Sequence, residues 1–174
     1  GGFFWLKSRG LPQREGESLL AGLKAPVEVR WDRWAMPYVR AGSAADATAA
    51  LGWLHANDRM FQVEMSRRAA SGRLSELFGE RALGFDKKVR RLGIYAAAEK
   101  LVAAASPESR ELLAAYASGV NAWIETHQSG LPPEFRILGA RPEPWRGADS
   151  MGIVFLMARQ LSAIFEPNEE ELIG

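Results

Sequence analysis

Between Ser43 and Glu80 apolar side chains recur at spacings of three and four with no proline to interrupt them, which predicts one long helix followed by a turn. Ser43-x-x-Asp46 reads as a capping box, because the hydroxyl can accept from a free amide of the first turn and the carboxylate suits the positive end of the macrodipole. At about 100° per residue, Leu51, Leu54, Phe61 and Met65 form one stripe, and Trp53, Met60 and, at its margin, Val63 form a second stripe roughly opposite. A helix apolar on two sides is expected to be buried on two sides, and Gly52 and Gly72 stand as its breakers. Asp58 falls inside the first stripe, with His55 and Gln62 at the margin. A carboxylate there costs several kcal/mol unless paired. It reads either as a structural ion pair with Arg90 or Arg91 or as a catalytic acid, the latter lacking a second acid one or two turns away.

Before this helix, Pro26 to Arg40 alternates apolar and polar residues about a turn near Asp32 to Ala35, the pattern of a β-hairpin. Pro37 makes its second strand an edge or an irregular one. After the helix, Gly79 to Phe85 reads as a loop. A second helical tract is expected from Asp86 to Ala105, with Val89, Leu92, Ala96, Leu101 and Ala104 on one face. Ser106-Pro107-Glu108 then supplies a cap, a proline at the first helical position and an acid in the first turn. The helix so started carries Leu112, Leu113, Tyr116, Val120 and Trp123 and should end before Gly130. Leu131 to Trp145 is a proline-punctuated loop with buried anchors. Asp149 or Ser150 can cap a last apolar helix from Met151 to Leu161, and the tail beyond it carries Glu166, Glu169, Glu170 and Glu171. The whole, residues 1–174, reads as a single mostly helical domain with a small N-terminal β-hairpin.

A chain 47% hydrophobic and 25% charged is long enough for one real core, and its formal net charge of +1 gives no electrostatic footprint for nucleic acid. The longest apolar runs, such as Met151 to Ala158, fall short of a membrane span. The absence of cysteine excludes disulfides, thiolate metal sites and a cysteine nucleophile while leaving the compartment open. The N-terminal Phe3 to Leu6 patch is too short for an intact signal peptide, although it suits the remnant of one. Neither histidine has a neighbour at metal-ligand spacing, and no nucleophile elbow, phosphate loop or dinucleotide fingerprint occurs. The acidic tail lacks the alternating pattern of a calcium loop. Composition and spacing alone name no reaction.

The long helix nonetheless carries a resemblance. Leu51-Gly-Trp-Leu-His-Ala-Asn-Asp-Arg-Met-Phe-Gln-Val-Glu-Met-Ser-Arg-Arg68 and Gly72-Arg-Leu-Ser-Glu-Leu-Phe-Gly79 resemble the signature of the α chain of the penicillin acylase family. The likeness continues through Phe85 to Arg91, Ser106 to Glu108, Tyr116 to Trp123 and Met157-Ala158, covering roughly residues 26 to 161. Departures are small in the helix, such as Asn57 where the family often has Gln. Ala35 stands where the hairpin often has Gly.

The resemblance implies membership of the N-terminal-nucleophile hydrolases, whose exported precursor cuts itself into α and β chains. The fold expected is the helical part of an α+β (αββα) heterodimer. The catalytic group, the N-terminal serine of the partner β chain, with its own α-amine as general base, is then absent from these residues. The substrates implied are N-acyl amides, either β-lactam antibiotics, with an antibiotic-resistance role, or N-acyl-homoserine lactones. The family's pocket wall on the last helix falls on Met157, Gln160 and Leu161, two of which differ from its Met, Arg and Phe. Without that aromatic ring and fixed cation, a preference for aliphatic acyl groups is expected. The family's structural calcium, shared with the β chain, falls on Glu170 or Glu169, and a periplasmic or secreted location follows from export. The rival expectation is a non-catalytic helical protein-interaction module. The two differ in whether the gene continues beyond Gly174 into a segment beginning with serine, directly or after an excised spacer.

Overall fold

The computed structural model describes residue 12, residues 14–18 and residues 20–164. Strands β1 (Glu28–Trp31) and β2 (Pro37–Arg40) form the expected antiparallel hairpin, in the register Glu28↔Arg40, Val29↔Val39, Arg30↔Tyr38, Trp31↔Pro37. Asp32 shapes its turn: one carboxylate oxygen accepts from the amides of Trp34 at 2.8 Å and Met36 at 2.9 Å. Ala35 is forced to φ 63°, a left-handed conformation that favours glycine.

The long helix α1 (Ala44–Ser71) begins as its sequence predicts, with Ser43 Oγ accepting from the Asp46 amide at 3.1 Å. The Asp46 carboxylate turns to the incoming chain instead. The Lys24 amide donates to it at 2.8 Å and holds its carboxyl below the ordinary aspartate range. Gly72 closes the helix at φ 64°. Then come α2 (Ser75–Phe78), α3 (Glu80–Leu92), α4 (Ile94–Ala104), α5 (Pro107–Thr126), α6 (Pro133–Ile137) and α7 (Gly147–Ile164).

Several boundaries differ from the sequence reading. Residues 80–85 are helical rather than a loop, the Asp86 to Ala105 tract is two helices broken at Gly93 (φ 66°), and the last helix starts at Gly147 and runs to Ile164. A glycine at the joint and charged residues over exposed turns hid these limits, since polar turns on one helix face look like loop in a linear pattern.

The core is built where α1 crosses α5. Gly52, which the linear pattern marks as a breaker, is the crossing point: a β-carbon there would stand 2.2 Å from the Tyr116 carbonyl oxygen. One at Gly119 would stand 1.8 Å from that of Ala49. The two backbones touch because neither glycine has a side chain. Trp53, Leu54, Ala56 and Met60 pack there on Ala117, Val120, Trp123 and Ile124, closed by Phe135 and Trp145. Phe61 meets Phe135 edge-to-face at 5.4 Å. A second, smaller cluster of Ala70, Val89, Ile94 and Leu156 holds α7 against α3 and α4.

The expectation for Asp58 is overturned. It is exposed and pairs with its neighbour Arg59 at 3.0 Å, while Arg90 Nε donates to the Gly72 carbonyl at 2.9 Å. The reason is which side of α1 is covered: Leu51, which leads the same stripe, is exposed with Asp58 beside an open cleft, whereas Trp53, Ala56 and Met60 form the buried side, and the kink at Arg59 (φ −143°, ψ 37°) comes only after Asp58. Beyond the kink, Phe61 and Met65 are half-buried.

Candidate functional site

Downstream of the kink the buried side of α1 is ionic. Glu64 is completely buried and accepts from Arg67 Nη2 and, at 2.6 Å, from Arg68 Nε. Arg68 continues to Glu76 at 2.6 Å, and Arg73 bridges Glu76 and Glu143 at 2.7 and 2.6 Å. Three acids and three arginines thus neutralise one another, as buried charge requires. The Arg73 guanidinium holds the Glu143 carboxyl down at about 2. Arg67 Nη1 also donates to the Glu143 carbonyl at 3.2 Å, so the network ties α1 to the loop that leads into α7.

That loop is fixed at Trp145. Asn121 on α5 clamps its backbone, accepting from the Trp145 amide at 2.6 Å and donating to its carbonyl at 3.0 Å. The indole lies buried and donates to Ser150 Oγ at 3.0 Å. Asp149 caps α7 from within its first turn, accepting from the Arg146 amide at 2.7 Å and from the Tyr95 hydroxyl at 2.6 Å. Burial first, then the bond to Asp149, pushes the Tyr95 phenol up to about 12, so it stays a donor throughout the neutral range.

The helix so placed turns an apolar stripe outward. Val154, Met157 and Leu161 are 51%, 55% and 59% exposed, and Gln160 beside them is exposed too. The structure brings Met157, Gln160 and Leu161 together on one open side of α7, with no described residue covering them. Toward the start of α7 the stripe runs into an open apolar cleft of about 850 Å³ between α1, α5 and α7, where Leu51, Leu113, Met151 and Val154 form walls. His55 and Tyr116 stand together in it, Nδ1 and hydroxyl 3.0 Å apart, and partial burial holds the imidazole below its ordinary value.

Glu169 and Glu170 lie outside the described residues. Among the described residues no three His, Asp or Glu side chains gather as a metal site, and no helix is long and apolar enough to cross a membrane. Sequence reasoning missed Glu64, Asn121 and Tyr95 as organisers of the α7 seat. Only the first two had a signal, both lying in the family-like motifs.

A helical layer behind a small hairpin, with the last helix bare on one side, is the architecture of a penicillin acylase α-chain fragment. It superposes with a TM-score of 0.76 and 29% identity on a chain of the thermostable penicillin G acylase from Alcaligenes faecalis, covering 85% of this chain and 79% of that one. A model of the penicillin amidase family matches residues 26–172, and the chain belongs to that family. It is 42% identical over 144 residues, 83% of its length, to penicillin acylase 2 proenzyme of Pseudomonas sp. strain SE83. It is 36% identical over 156 residues, 88% of its length, to acyl-homoserine lactone acylase QuiP of Pseudomonas aeruginosa. In both cases the match spans 18% of the relative, so the chain covers about a fifth of the curated relatives' length.

Proposed function

We propose that this chain is the α subunit of an exported N-acyl amide hydrolase whose nucleophile, an N-terminal serine, belongs to a separate β chain cut from the same precursor. The substrates are N-acyl-homoserine lactones or the N-acyl side chains of penicillins, with aliphatic acyl groups preferred. The observation that carries the reading is the bare stripe of α7: Val154, Met157 and Leu161 expose contiguous apolar surface beside a large apolar cleft, in a chain belonging to the penicillin amidase family. Two further facts support it. One relative is named a proenzyme, and the matching solved chain is nearly as short as this one although the curated relatives are several times longer. A structural calcium held through Glu170 or Glu169 and shared with the β chain belongs to the same proposal, supported by the acidity of that segment. So does a periplasmic or secreted location.

In this reading Met157 and Leu161 line one wall of the acyl site. Leucine gives no ring for edge-to-face contact, worth about 0.5–1.5 kcal/mol to a phenyl group. Burial of methylenes, about 0.8 kcal/mol each, is then the source of selectivity. Gln160 brings no fixed charge to a β-lactam carboxylate. The test is kcat/KM of the processed two-chain enzyme on hexanoyl, octanoyl and phenylacetyl amides sharing one leaving group. Octanoyl should exceed phenylacetyl, and Leu161→Phe should move the preference toward phenylacetyl. A clear phenylacetyl preference in the parent refutes the aliphatic reading, and the absence of hydrolysis on all three refutes the enzyme as proposed.

A further inference from the structure

Tyr95, near the start of α4, meets Arg146 just before α7 and Asp149 and Gly152 in its first two turns. Its hydroxyl accepts from Arg146 Nη2 at 2.6 Å and donates to the buried Asp149 carboxylate at 2.6 Å. One turn further on, Gly152 leaves room for its ring: a β-carbon there would stand 3.3 Å from Tyr95 Cδ2 and 3.5 Å from Ala70 Cβ. With the hydroxyl held from two sides, the ring cannot swing away to relieve such a contact. At about 100° per residue, Gly152 lies on the side of α7 roughly opposite Val154, Met157 and Leu161, Asp149 lies between the two sides, and Arg146 directly precedes the helix.

We propose that Tyr95 is a positioning residue, a strut behind α7 whose contacts with Arg146, Asp149 and Gly152 set how far the Met157 and Leu161 wall stands forward and so which acyl length the enzyme prefers. The proposal rests on the reading of α7 as the acyl wall. Tyr95 touches no substrate. It acts through the seat of one helix, and a displacement of that helix by a few tenths of an ångström changes contact with the acyl tail more than with the scissile amide.

The test uses the processed two-chain enzyme and the ratio of kcat/KM for octanoyl over hexanoyl amides with one leaving group. Tyr95→Phe keeps the ring against Gly152 and removes both hydroxyl bonds. It should shift the ratio by about threefold or more, through KM rather than kcat. Gly152→Ala, which presses α7 off the ring, should also shift the ratio. A residue with a structural role alone would lower the melting temperature and slow both substrates equally. If Leu161→Phe alters acyl preference while Tyr95→Phe and Gly152→Ala both keep the ratio within about twofold of the parent, the strut is overturned and the wall stands. If Leu161→Phe leaves preference unchanged as well, the wall reading fails and the strut falls with it. Should Tyr95→Phe not assemble, Gly152→Ala decides by the same criterion.

Discussion

The junction around Glu64 and the outer face of α7 use family-like residues in opposite ways. At the junction, Glu64, Arg67, Arg68 and Glu76, all within the family-like signature, are paired with one another. On α7, Met157 fits the family pattern whereas Gln160 and Leu161 depart from it, and all three face outward. The family-like charged residues therefore hold the chain together, and the two departures lie on its open surface. A signature dense in charged residues is read more safely as a packing device than as a list of catalytic groups.

The comparison is broken most directly at Glu64. Glu64→Ala removes the carboxylate that two buried guanidinium groups share and should destabilise the protein by about 3–5 kcal/mol in denaturant unfolding. Leu161→Phe, on the open face, should change stability by no more than about 0.5 kcal/mol. Equal losses in the two variants would erase the distinction between an inner junction and an outer face. Next in size is Gly119→Ala. Its methyl group would meet the Ala49 carbonyl, a backbone atom that cannot move aside alone, so the α1–α5 crossing must open, at a cost of about 1–3 kcal/mol. An unchanged melting temperature would mean that the two helices do not touch there.

The smallest effect concerns the rim of the junction, where Glu143 is half exposed. Its carboxyl lies at about 2 against an ordinary 4.5, chiefly through its bond to Arg73. A depressed carboxyl stabilises the fold fully above its unfolded value and loses that contribution as pH falls through the folded one. Stability should therefore decline between pH 4.5 and about 2, and Glu143→Gln should flatten that part of the acid limb by at most about 1 kcal/mol, because solvent screens the pair. An acid limb identical in both proteins would place Glu143 outside the network.

The hairpin, the capped start of α1, the start of α5 at Ser106 and the apolar character of α7 were legible in the sequence, since each has a local cause: alternation, a hydroxyl cap, a proline at the first helical position. The exposure of Asp58 is not legible because two opposed apolar stripes do not say which of them the chain covers: the Trp53 and Met60 side is buried, and the Leu51 side with Asp58 stays open. Gly52 and Gly119 were invisible as a contact because a glycine's use depends on what lies opposite, here a helix far along the chain. Met157, Gln160 and Leu161 could be picked out only by resemblance. Their spacing alone fits core as well as surface, and the structure places them on the surface.

The crossing of α1 and α5 also bears on how the chain is made. Gly52 and Gly119 are 67 positions apart, so the central contact cannot close until almost the whole of α5 has been synthesised. At about 5–20 residues per second, α1 emerges from the ribosome several seconds before its partner helix. Through that interval Trp53, Leu54 and Met60 have no α5 to pack on. The helix that organises the finished molecule thus spends seconds of translation without the partner that buries its apolar side.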